Sequence, residues 1–405
     1  MNEKTKIIEK KNLQSGIAVL LYAIVLLYAI STVYLYYKQT QWTHGSVFES
    51  DLPAHIKMVI VDGWYYSLTA FVYRFLYLFP CRNILIALFL AMCSAASVLL
   101  TAAACNCLLS QWGRDKNGRA VRNISLAAGL FLNLAMPCYI KGLTDGRYIG
   151  MESASVWHNS TYIVMKWLGI LCLILYAKME QKIQEGFSRK QWLVFTLMLT
   201  VTTGVKPSFL MVFAPMMLIF LIWDLLIKKV PIFRLFLFGC SVLPSLLIIY
   251  LQNVVLFGAQ TGNSWILNPG KALSQHSAHP IIAAGLSILF PLIVLFKNFD
   301  ALKKTRWFAS AWLMAFFGFL EVYLFCETGK RAGDGNFMWG YSFAILAIFL
   351  VSMVKWLENI WEKGKSQVIK YGYLLVSGLA LFYHLYCGIY FYIHLLQGVS
   401  YWMWG

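Results

Sequence analysis

Apolar runs close to the length of a membrane span recur from one end of this 405-residue chain to the other, and they decide its class. A hydrocarbon layer about 30 Å thick needs about 20 predominantly apolar residues of helix to cross it. Inside that layer there is no water for backbone groups to bond, so only helices and closed barrels span it. The runs are continuous rather than alternating, which excludes an outer-membrane barrel. Composition agrees: 60% of the residues are hydrophobic and 13% are charged, against about 25% charged in soluble proteins.

The runs fall at 16–37, 83–109, 121–139, 160–178, 191–204, 207–227, 231–257, 280–296, 307–326, 337–354 and 371–393. They predict an all-α polytopic membrane protein with about 11 transmembrane helices. The whole of 1–405 reads as a single transmembrane domain, with no separate soluble domain. Lys4, Lys6, Lys10 and Lys11 precede the first run, but it is too long for a signal peptide and no small-residue cleavage site follows. It reads as a retained helix.

The formal charge of +17 does not point to nucleic acid, because the basic residues sit in short loops between apolar runs. With the N-terminus cytoplasmic, those loops carry most of the Lys and Arg, as the positive-inside rule requires. The C-terminus then lies outside, and the location is the plasma (cytoplasmic) membrane. The segment 64–79 is long enough to be taken for a further span. A crossing there would turn the later basic loops outward, so it is laid on the outer surface instead. Residues 38–82 become an outer loop with interfacial helices, and Trp64, Tyr65, Tyr66, Tyr73 and Tyr77 sit at headgroup level. The nine cysteines lie mostly in or beside apolar runs and read as small apolar side chains.

That topology gathers histidines and acids on the outer side. Asp51 precedes Leu52-Pro53, the pattern of a helix N-cap followed by an early proline. One turn on, His55 shares a face with it. A carboxylate oriented by a histidine suits a general base; with Glu49, Asp51 also makes a pair suited to a divalent cation, Mg or Mn. The plainer alternative is an N-cap beside a surface histidine.

Lys206-Pro207 interrupts the apolar pattern after the short run 191–204. A helix starting there exposes unpaired N–H groups beside an ammonium, an arrangement suited to phosphate. The alternative is a hairpin whose lysine snorkels to the interface. Lys330 and Arg331 lie in a tight loop after Glu321 and Glu327; Arg331 suits a bidentate grip on phosphate, or else a local salt bridge. Asp145, Arg147 and His158 form a second outer loop, and Asn336 and Trp339 follow Arg331. These five are the candidate substrate contacts. Asn159-Ser160-Thr161 matches a glycosylation sequon but abuts the membrane. His276 and His279 are three apart without an accompanying carboxylate, and read as a sugar-contacting or structural loop. His384 and His394 on the last helix read as satisfied buried or interfacial groups.

The cytoplasmic N-terminus, the long first outer loop with Glu49 and Asp51, the interfacial segment and the outward basic residues together resemble the C-type (GT-C) superfamily of membrane glycosyltransferases. The resemblance covers most of the chain in architecture, and its one motif is Glu49-x-Asp51. It implies inverting transfer of a sugar from a polyprenyl-phosphate-linked donor to a cell-surface glycan or glycolipid acceptor. Asp51 or Glu49 would be the base, and Lys206 with Arg331 and Lys330 would hold the lipid phosphate. Adjacent acids, frequent among members, and the C-terminal soluble domain that some carry are not seen in this sequence. The competing classes are a polymerase of lipid-linked saccharides and a transporter or flippase, for which paired broken helices are the signature.

Overall fold

The computed structural model describes residues 3–43, 46–110, 118–144, 152–258, 262–332, 335–361 and 367–399. The chain is a multi-pass, largely α-helical membrane protein. Among the described residues, eight helices are long and apolar enough to cross a membrane, and nine if one bent pair is a single span. The helices Arg119–Leu134 and Arg189–Val205 occupy two of the eleven runs but have 16 and 17 residues. At 1.5 Å per residue they fall short of a 30 Å layer by several ångströms.

Met338–Trp361 is the central helix: 89% of its most apolar window is buried, against 17% for the first helix. Two glycines set close crossings. A Cβ on Gly340 would lie 2.6 Å from the Ser208 carbonyl oxygen, and one on Gly318 would lie 2.8 Å from Tyr341 Cα. Ser208–Leu226 and Arg306–Leu324 therefore press directly on the central helix.

Helix ends are settled by local chemistry. Ser188 and Gln191 form a capping box at the start of Arg189–Val205, satisfying two otherwise orphaned N–H groups. The bent pair Pro280–Ser287 and Leu289–Lys297 turns through 70°. Its freed groups find partners elsewhere: Phe290 N–H donates to His384 Nε2 at 3.3 Å, and the Leu286 carbonyl accepts from Cys138 N–H at 3.1 Å. His384 Nδ1 meets the Met136 carbonyl at 2.7 Å, so both ring nitrogens are engaged and this buried histidine is a bracket. Such compensation is what lets a broken helix persist where water is scarce.

The segment 38–82 contains two short helices, Leu52–Ile60 and Leu68–Leu76, of nine residues each. Each reaches about 14 Å, too little to cross. Ser67 caps the second and donates its hydroxyl to the Val205 carbonyl at 2.7 Å. Gln252 Nε2 bridges the Tyr66 and Gly204 carbonyls at 2.6 and 2.9 Å. The segment is thereby docked onto the break at Lys206. β1 (Ser264–Leu267) pairs antiparallel with β2 (Phe325–Thr328), Trp265 opposite Glu327, beside the same end of the bundle.

A separate ion network ties the opposite ends of three helices. Asp224, fully buried, accepts from Arg306 Nη2 at 2.7 Å and Nη1 at 3.0 Å. Lys228 lies 3.3 Å from both Asp224 and Glu180, and Arg306 Nε is 3.4 Å from Glu180. By sequence Lys228 and Arg306 read only as loop charges, and nothing there marks Asp224.

Candidate functional site

The site is built where segment 49–55 meets the start of Ser160–Glu180. Ser50 Oγ donates to the His158 carbonyl at 2.8 Å, and Asp51 N–H donates to the same oxygen at 3.2 Å. These bonds bridge more than 100 residues of sequence. Asp51 occupies the N-cap of Leu52–Ile60, yet its side chain makes no capping bond. Its Oδ2 instead accepts from Asn159 Nδ2 at 2.9 Å. The carboxylate is thus turned toward the neighbouring helix start rather than spent on its own helix.

Asn159 is the hub. It caps Ser160–Glu180 by accepting from Tyr162 N–H at 3.0 Å. The same Oδ1 accepts from Thr161 Oγ1 at 2.9 Å and from Lys206 Nζ at 3.2 Å. One amide therefore has an acid on its nitrogen and a cation on its oxygen. Sequence reasoning missed this role: the tripeptide reads as a sequon, and only its position at a helix start hinted at capping.

Lys206 sits in extended backbone between Arg189–Val205 and Ser208–Leu226. Its ammonium is buried, bonded to Thr161 Oγ1 at 2.8 Å, and lies 4.8 Å from the Trp339 ring centroid. It does not snorkel outward. Buried Trp339 also packs against His158, ring centroids 5.8 Å apart. Lys206 and His158 thus share one aromatic floor.

His55 Nδ1 is 2.9 Å from Ser160 Oγ. Burial pushes its pKa down to about 4; the Asp51 carboxylate opposes this, and Lys206, Arg331 and His158 add to it. For fully enclosed His158, burial pushes the pKa down to about 3, with Glu49 opposing and Lys206 adding. Glu49, Asp51, Lys206 and Arg331 therefore each lie within electrostatic reach of one or both imidazoles. Both histidines are neutral in the folded protein at pH 7.

A pH dependence follows from His158. Unfolded histidine titrates near 6.5, so the unfolded chain binds protons that the folded chain refuses as pH falls through 6.5 toward about 3. Stability from this group is complete above 6.5 and declines on acidification, by about 2 kcal/mol at pH 5. Replacing His158 with Gln is expected to flatten the fall in unfolding midpoint between pH 7 and 5. An unchanged slope would assign that fall to other groups.

Arg331 follows β2 and donates Nε to Glu327 Oε1 at 3.2 Å. Asn336 donates Nδ2 to Glu327 Oε2 at 2.8 Å. The local salt-bridged arrangement is therefore the one Arg331 adopts, within electrostatic reach of His55. Lys330 is exposed. Asp145, Arg147, His44 and Asp334 lie outside the described residues, as does the side chain of His276; His279 is exposed. Glu321 is buried near Gly340, and neither carboxylate oxygen has a hydrogen-bond partner among the described residues. Among the described residues no group of three or more His, Cys, Asp or Glu side chains converges to hold a metal. Glu49 and Asp51 alone supply the pair that the sequence singles out for Mg or Mn.

Chemically, the cluster sets a carboxylate and an ammonium on the two sides of one amide, at an end of the helix bundle, with neutral imidazoles beside them. The chain matches no family model and no curated protein.

Proposed function

We propose that this protein is a glycosyltransferase that moves a sugar from a polyprenyl-phosphate-linked donor to a glycan or glycolipid acceptor at the Asp51 end of the bundle. One observation carries the reading: Asn159 holds Asp51 with its Nδ2 and Lys206 with its Oδ1. Inverting transfer needs those two charges near each other. Asp51 takes the proton from the acceptor hydroxyl, whose oxygen attacks the anomeric carbon. The bond from that carbon to the phosphate oxygen breaks, and polyprenyl phosphate leaves with the electron pair. Lys206 faces the negative charge that accumulates there, and Arg331 adds to the field. A bundle of apolar helices suits a donor whose tail stays in lipid.

In this reading Arg119–Leu134, Arg189–Val205 and the bent pair complete eleven crossings, with the N-terminus cytoplasmic and the C-terminus outside. Leu52–Ile60 and Leu68–Leu76 lie at the outer interface. A cysteine at Asp62 is expected to react with an impermeant maleimide in intact cells, and one at Lys182 only after permeabilisation. The reverse pattern overturns the orientation.

The direct test is purified protein supplied with polyprenyl-phosphate sugars and cell-envelope acceptors, following release of polyprenyl phosphate. Transfer supports the reading, and its absence across a panel of sugars and acceptors removes it. The flippase alternative draws on the break at Lys206 and the 70° bend between Pro280–Ser287 and Leu289–Lys297, two interrupted helices of the kind transporters use. Deletion of a flippase would leave unflipped lipid-linked sugar on the cytoplasmic leaflet. Deletion of a transferase would leave donor on the outer one.

A further inference from the structure

Lys166 stands in the first third of Ser160–Glu180, about 9 Å along the axis from its first residue. It is buried, with 6% of its surface exposed. Among the described residues its ammonium has no hydrogen bond, ion pair or ring contact. Other buried or partly buried cations differ, among them Lys206, which bonds Thr161 and Asn159, Arg306, which bonds Asp224, and Lys355, which bonds Glu358. Lys166 lines a small cavity with Ser97, Ser155, Tyr28, Asn133 and Trp157.

Two further groups in that wall, Ser97 Oγ and Ser155 Oγ, are buried with no hydrogen-bond partner among the described residues. All three can donate. Tyr28 Oη accepts from Trp157 Nε1 at 3.1 Å and also bonds Ser94, so it is already engaged. No aspartate or glutamate lines the cavity. An ammonium out of water needs a counter-charge or must shed its proton. Room is about that of one water, which excludes phosphate, sulfate and carboxylates; a chloride ion, somewhat larger than water, enters as the Ser97 and Ser155 side chains turn aside.

We propose that this cavity binds one halide-sized monovalent anion, chloride in a cell, held by Lys166 and the Ser97 and Ser155 hydroxyls. A single-atom anion asks for donors alone and supplies the missing charge. The site is independent of sugar transfer, but its roof is not remote: Ser155 to Trp157 runs straight into His158 and Asn159. The anion pins the segment that carries the hub.

The test is thermal unfolding of the purified full-length protein in detergent, with chloride exchanged for gluconate at constant ionic strength. Gluconate is too large to enter. Chloride is expected to raise the midpoint by about 2–5 °C with a saturable dependence. Lys166→Met, which keeps the stem and removes the charge, is expected to lose the response. A wild-type midpoint indifferent to chloride overturns the proposal in favour of a neutral lysine with a bound water. So does a response undiminished in Lys166→Met. If that variant fails to fold, Ser97→Ala takes its place: a several-fold higher half-saturating chloride concentration supports the site, and an unchanged one overturns it.

Discussion

Asp51→Asn is expected to lower sugar transfer by about 10²–10⁴-fold, the range supplied by a positioned general base, while leaving the bundle folded. The structure makes this substitution a clean one. Asp51 Oδ2 accepts a bond from Asn159 Nδ2, and the side-chain carbonyl that the substitution introduces can accept the same bond with the same geometry. Asp51 caps no N–H of its own helix, so no helix start is undone. What the amide cannot do is take a proton. The loss therefore belongs in kcat, with the KM for lipid-linked donor little changed, because Lys206 and Trp339 keep their places. Asn159→Ala is the contrast. It removes the helix cap, the tie to Asp51 and an oxygen that Lys206 bonds, so KM, kcat and stability shift together. Undiminished transfer by Asp51→Asn would remove this carboxylate from the chemistry, whatever sugar is used.

The membrane class was legible because it rests on run length alone, and eight of the eleven runs are helices long enough to cross. The other three needed knowledge of local backbone. Run 121–139 ends early as helix, at Ala135, whereas run 191–204 is helical throughout and stops at the Lys206-Pro207 break, too short to cross. Run 280–296 bends at Ile288, whose freed neighbours are satisfied by His384 nearly 100 residues away. Hydropathy averages over a window and does not register such a bend. At the site, Asp51, His55, His158 and Lys206 were visible as polar residues at the edges of apolar runs. Their convergence was not, because it depends on Asn159, and an asparagine before Ser-Thr has several readings until its neighbours in space are known. Lys166 and Asp224 escaped for a related reason: each lies within an apolar run and does not lower its average enough to break it.

Asp224→Ala is expected to destabilise the protein by about 3–5 kcal/mol, the cost of leaving a buried charge without its partner. Asp224 is fully buried and bonded to both terminal nitrogens of Arg306, whose guanidinium also lies 3.8 Å over the Phe220 ring. Removing the carboxylate leaves Arg306 and Lys228 facing each other with only Glu180 between them, so like-charge repulsion adds to the lost bonds. The helices Ser160–Glu180, Ser208–Leu226 and Arg306–Leu324 meet there, and each begins or ends at the Asp51 end as well. Loosening should appear as a lower unfolding midpoint and poorer yield from membranes. Activity per folded molecule should hold, because the network lies a helix length, about 25–30 Å, from Asp51. Asp224→Leu combined with Arg306→Met is expected to recover most of the loss, since an apolar pair of similar volume avoids the desolvation that the ions incur. Strong coupling between the two substitutions identifies the ion pair as the source. A single variant within about 1 kcal/mol of wild type would instead show that water reaches this network and screens it.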